Sequence, residues 1–116
     1  MITDLKTSIW VSALIKRAEI GGAFGYVIRK GDVDNGSVIV KIQIDRENSK
    51  LLIPSRDLSG NLIFVDITSN IIKNTNENKE QQIETYIKKR INQDLDIWVI
   101  EIEDKNGRDF LIERTE

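Results

Sequence analysis

The sequence predicts an α+β domain: an antiparallel sheet of about five to six strands with two helices packed on one face. Three observations lead there. Apolar residues recur at helical spacing near the N-terminus and again near residue 85. Between and after them run short stretches of alternating apolar and polar residues, separated by Gly, Asn, Asp and Pro. The 116 residues are 40% hydrophobic and 31% charged, a length and composition that suit one domain with its own core, spanning residues 1–116.

Taken in order, residues 3–20 read as a helix with Leu5, Ile9, Ala13 and Ile20 in its stripe and Trp10, Leu14 and Ile15 widening it. Thr3 or Asp4 would cap its start, and Gly21-Gly22 would end it. Residues 23–30 alternate as a strand. Residues 31–36, Gly-Asp-Val-Asp-Asn-Gly, form a turn whose Asn-Gly and Gly-Asp pairs favour positive φ. Residues 37–45 alternate strictly, which predicts a strand with Val38, Val40, Ile42 and Ile44 buried and Ile39, Lys41, Gln43 and Asp45 facing away from that core. Residues 50–53 are a short strand that Pro54 ends or pushes to an edge. Residues 62–68 complete a meander of four strands.

The polar stretch from Lys73 to Gln82 reads as a loop merging into a helix at about 78–93, with Ile83, Tyr86, Ile87 and Ile91 on one face. A final hairpin is expected: strand 97–103, turn 104–107 and strand 108–113, with Lys-Asn-Gly as the turn signal.

Composition narrows function. The chain has no histidine and no cysteine. It therefore lacks the commonest general acid/base, the imidazole and thiolate ligands of zinc, and any thiol nucleophile. No catalytic residue, metal site or cofactor is assigned. A net charge of −2 speaks against nonspecific nucleic-acid binding. No apolar run has bilayer length, so the expected protein is soluble, cytoplasmic and away from membranes.

Several residues invite functional readings. Asp32 and Asp34 sit in a calcium-loop-like turn, but the invariant glycine position falls on Ser37 and the bidentate acid position on Gln43; a structural turn explains them. Glu101 and Glu103 share a strand face about 7 Å apart, where they would either hold Mg²⁺ or line a solvated face. Arg29 and Arg108 would make an anion site if the fold joins them, and otherwise pair with nearby acids. Trp98 reads as core and Trp10 as an interface anchor. The run Lys88-Lys89-Arg90 follows Glu80 and Glu84 and reads as a solvated helix face.

Three blocks carry a family resemblance: residues 9–17 (IWVSALIKR), 27–41 (VIRKGDVDNGSVIVK) and 94–111 (DLDIWVIEIEDKNGRDFL). In this order they resemble the bacterial DUF1491 family, small single-domain proteins of unknown function. Where relatives often have histidine after the turn arginine, this chain has Asp109. The resemblance implies a compact cytoplasmic α+β domain and no activity. The leading expectation is a non-enzymatic module that binds a protein partner or itself. The rivals are a Mg²⁺- or Mn²⁺-dependent phosphate-ester hydrolase using Glu101, Glu103, Arg29 and Arg108, and a small-ligand protein with a pocket near Tyr26 and Tyr86.

Overall fold

The computed structural model describes residues 5–116. Helix α1 spans Thr7–Ile20, followed by β1 (Phe24–Arg29), β2 (Val38–Gln43), β3 (Ser49–Arg56) and β4 (Leu62–Asp66). A single turn of helix, α2 (Thr68–Ile71), precedes α3 (Lys79–Gln93), and β5 (Trp98–Glu103) comes last. The proposed caps Thr3 and Asp4 lie outside the described residues; α1 starts after Lys6 and ends at Gly21, with Gly22 in the left-handed region at φ 86°. Asn78 caps α3 through a reciprocal box with Gln81, one residue before the helix begins.

The sheet has five strands in the order β1-β5-β2-β3-β4. It is mixed, not purely antiparallel: β2 and β5 run parallel while every other neighbouring pair of strands is antiparallel. Only β2-β3-β4 is a meander. β5 inserts between β1 and β2, which the sequence reading had joined. The connection from β1 to β2 must therefore cross the start of β5, and it does so at contact distance. A Cβ on Gly31 would lie 2.1 Å from the Asp96 carbonyl oxygen, and one on Gly36 2.4 Å from the same atom. Positive φ is not what these glycines supply; among the described glycines only Gly22, Gly60 and Gly107 have it. Close backbone approach is their reason.

The helices lie on opposite faces, which corrects the expectation of one. α1 contributes Trp10, Val11, Leu14 and Ala18 to a core with Val38, Val40, Ile42, Trp98, Ile100 and Ile102. α3 contributes Ile83 and Ile87 to a second core with Ile39, Leu51, Ile97 and Val99. Both faces of β2 are covered, so Ile39 is as buried as Val40. The face of α1 that packs is also not the expected one: Leu5, Ile9 and Ile20 are exposed, and Trp10 and Leu14 lead the buried side.

Two further expectations fail, the first because of the placement of β5. Residues 108–113 form no strand. Both edges of β5 are already taken by β1 and β2, so a hairpin partner has nowhere to pair. Instead the chain turns at Gly107, passes through Phe110 at φ 60° and runs over the α1 side of the core. It finishes beside β4, where Thr115 bridges Phe64 in parallel. Pro54, in turn, sits inside β3 opposite Phe64 rather than at an edge. The β2–β3 ladder ends at Leu52, so on that side Pro54 has no ladder hydrogen bond to lose.

Candidate functional site

The sequence-derived site residues fall into two groups at opposite ends of the sheet. Phe24 opens β1 beside Glu103, and Arg29 closes it beside Val99. Five residues of extended chain separate those points by roughly 16 Å.

At the Arg29 end, every candidate has a structural role. The Asp32 side chain accepts from the backbone N–H groups of Asp34 and Asn35, both at 2.9 Å. Those two bonds hold its carboxyl below the usual carboxylate range. Its carbonyl accepts from Trp98 Nε1 at 2.7 Å. Asp34 faces Lys6 at 3.7 Å, and both side chains are exposed. Arg29 donates to the Leu95 carbonyl at 3.0 Å. Trp98 itself is core, as expected.

At the other end, Glu101, Glu103 and Arg108 line an open cleft of about 870 Å³, together with Phe24, Glu80 and Asp104. Lys41, a lone charge in an apolar strand, lies between two carboxylates: 3.4 Å from Glu80 Oε2 and 3.7 Å from Glu101 Oε1. Ser49 Oγ donates to the other oxygen of Glu80 at 2.9 Å. Burial raises the Glu101 pKa, opposed by Lys41 and reinforced by Glu103 and Glu84. Arg108 grips Asp104 with two nitrogens, Nε at 2.9 Å and Nη2 at 3.0 Å, and stacks over Phe110 at 4.8 Å. Its hydrogen bonds, the side-chain ones first, bring the Asp104 carboxyl down to about 2. Arg108 also donates to the Gly21 carbonyl, tying the post-β5 turn to the end of α1.

Two of the cleft's carboxylates are thus matched, while Glu103 has no ion-pair partner among the described residues. Glu101 is answered by Lys41 and Asp104 by Arg108. Among the described residues no three carboxylates gather so as to hold a metal ion. Arg29 and Arg108 do not meet, so they form no common anion site. Tyr26 and Tyr86 do not meet either: Tyr86 lines a separate groove of about 470 Å³ with Ile67 and Ile71, and Tyr26 lies on β1.

Trp10 is not the interface anchor the sequence suggested. It is 3% exposed, stacks on Phe64 with ring centroids 5.7 Å apart, and donates from Nε1 to Glu113 at 2.9 Å. The exposed apolar surface lies on β1. Phe24 is 62% exposed, Tyr26 44%, Val27 46% and Ile28 57%, with Ile20 and Leu95 exposed nearby in the chain and in space. Phe24 and Tyr26 pair with Glu103 and Glu101, so they point to the α3 side; Val27 pairs with Ile100 and points to the α1 side. Among the described residues nothing hydrogen-bonds to the outer backbone of β1. Sequence reasoning missed this surface because alternation in residues 23–30 looked like a half-buried strand; the signal was the absence of any polar row.

The match to a family model covers residues 5–112, under the description "Protein of unknown function (DUF1491)". The chain belongs to the DUF1491 family. A crystal structure of a DUF1491 family protein from Caulobacter crescentus CB15 is 40% identical and superposes with a TM-score of 0.82, covering 97% of this chain and 99% of that one. An NMR structure of a DUF1491 family protein from the same organism is 39% identical, with a TM-score of 0.78 and 98% of each chain covered. The solution structure of Atu0922 from A. tumefaciens shares the fold at 22% identity, with a TM-score of 0.74 and 98% of each chain covered. No curated protein matches the chain. Within this DUF1491 domain Asp109 is a structural residue: it accepts from the Leu111 N–H at 2.9 Å and the Thr115 hydroxyl at 3.0 Å, shaping the C-terminal segment. No helix among the described residues is long and apolar enough to cross a membrane.

Proposed function

We propose that this DUF1491 domain is a protein-association module that works by binding rather than turnover, and that its working surface is the open edge of β1. The observation that carries this reading is the run Phe24–Ile28, an apolar edge strand exposed on its outer side. Soluble proteins ordinarily blunt such an edge with charge, proline or a covering segment. A strand that keeps its outer N–H and C=O groups free offers main-chain hydrogen bonds for affinity and side-chain positions for specificity.

The phosphate-ester reading needs Arg29 and Arg108 beside a metal held by Glu101 and Glu103. Arg29 lies at the far end of β1, Arg108 is held by Asp104, and Glu101 is held by Lys41. The cleft geometry thus supports binding over hydrolysis.

Photocrosslinking in the cells that make the protein tests the reading. A benzophenone side chain placed at Tyr26 is expected to give a discrete protein adduct, and one at the equally solvent-facing Leu58 is not. No adduct at Tyr26, or the same adducts from both positions, would remove the β1 edge as the working surface.

A further inference from the structure

Resting on that reading, we propose that the occupant of the β1 edge is a second copy of this chain. Two β1 strands meet antiparallel about a twofold axis, joining two five-stranded sheets into one of ten strands.

Three features of the edge favour a copy of itself. The first is symmetry of shape. An isologous antiparallel join is closed, so it hides both open edges at once and leaves none to propagate. Phe24 and Tyr26 lie on the α3 side of β1. Centred on Tyr26, the join sets Tyr26 against Tyr26 and extends the aromatic row from one copy into the other, the kind of cross-strand contact that stabilises sheets. The register irregularity between Val27 and Arg29 falls at the end of the strand and leaves Phe24–Val27 regular.

The second is charge. From Phe24 to Ile28 the strand carries none. Its basic residues, Arg29 and Lys30, follow at one end, while Glu103 lies one strand inward at the other. Among the described residues neither Lys30 nor Glu103 has an ion-pair partner. Antiparallel pairing brings the basic end of each copy alongside the acidic end of the other, whereas a parallel pairing would stack like charges.

The third is area. Phe24, Tyr26, Val27 and Ile28, with Ile20 and Leu95 flanking them, expose on the order of 600 Å² of side chain, taking ordinary residue areas. Interfaces of standard size bury about 800 Å² per partner. Across two copies the patch amounts to about 1,200 Å², the lower end of specific interfaces, where association is weak and reversible.

Sedimentation velocity on the full chain, across a micromolar concentration series, tests the proposal. The wild type is expected to move from monomer to dimer. Tyr26→Lys is expected to weaken the dimer by at least about tenfold, the loss of one central aromatic anchor. Leu58→Lys, an equally drastic change on a remote exposed site, is expected to leave it unchanged. Circular dichroism checks that each variant folds. Should Tyr26→Lys unfold, Ile28→Lys takes its place, and the β1 amides of the wild type must gain hydrogen-exchange protection with concentration. A wild type that stays monomeric overturns the proposal, as does a dimer indifferent to both β1 substitutions. A monomer whose Tyr26 crosslinks to a different protein overturns the second copy and keeps the association reading; a monomer with no crosslink ends both.

Discussion

β4 and β1 are both apolar edge strands, Leu62-Ile-Phe-Val-Asp66 and Phe24-Gly-Tyr-Val-Ile-Arg29, yet they end in opposite environments. On β4, Leu62, Ile63 and Phe64 are buried. The chain's last residues close that edge: the Phe64 N–H donates to the Arg114 carbonyl at 2.9 Å, and Asp66 and Glu116 donate to Glu116 and Phe64 carbonyls at 2.8 Å each. β1 has no such cover among the described residues. The difference does not come from the strands' own residues. It comes from the C-terminal segment, which is denied a place beside β5 and reaches only one of the two free edges. An edge is closed or open according to what the rest of the chain can deliver to it.

The strongest way to break the covered edge is Trp10→Ala. It removes the ring that stacks on Phe64 and the donor that holds Glu113. Chemical denaturation is expected to show a loss of about 3–5 kcal/mol, the usual range for emptying a buried aromatic site.

Deleting residues 114–116 makes the two edges alike. Three backbone hydrogen bonds to β4 disappear, for an expected loss of about 1–3 kcal/mol. Native-state hydrogen exchange should show the Phe64 and Asp66 amides losing protection while β2 keeps its own. Unchanged exchange at these two amides would mean the tail is not what closes β4.

Asp104→Asn loosens the turn that sends the chain toward β4. Because its folded pKa is lowered to about 2, the ionised carboxylate adds stability above its ordinary value near 3.8. That contribution fades as the pH falls from there through about 2. The variant is expected to melt roughly 5 °C below wild type at pH 7, with the gap closing in acid.

Glu101→Gln probes the β1 side and carries the smallest effect. Here the folded pKa is raised, so the sign reverses: the folded state binds this proton more readily than the unfolded one. Its contribution is full below the ordinary value of 4.5 and is lost as pH rises through the folded pKa. Glutamine is therefore expected to leave the protein as stable as wild type at pH 7, or slightly more so, with the difference growing as the pH rises from 4.5 through the raised folded value. Lys41 keeps Glu80 as a partner in the variant. A clear destabilisation at pH 7 would show that the Lys41–Glu101 contact outweighs the cost of burying the charge.

Local chemistry made much of the fold legible. The spacing of Ile83, Tyr86, Ile87 and Ile91 placed α3, Gly21-Gly22 set the end of α1, and alternation marked all five strands to within a few residues. Trp98 was rightly read as core. The site was far less legible. Lys41 was assigned to a wet face because alternation says which residues share a side and not whether a helix covers that side. Arg108 was offered as an anion ligand because its partner, Asp104, shows itself only once the turn is folded.

The sequence by itself determined where α1, α3 and the five strands lie to within a few positions, since those limits follow from turn residues and periodicity within a few positions of one another. Only the tertiary structure decided that β5 lies between β1 and β2, that the helices take opposite faces, that residues 108–116 serve β4, and that none of the described residues covers the outer edge of β1. Strand partners are chosen by contacts many tens of residues apart, and nearly every apolar strand here has a face that would fit more than one neighbour.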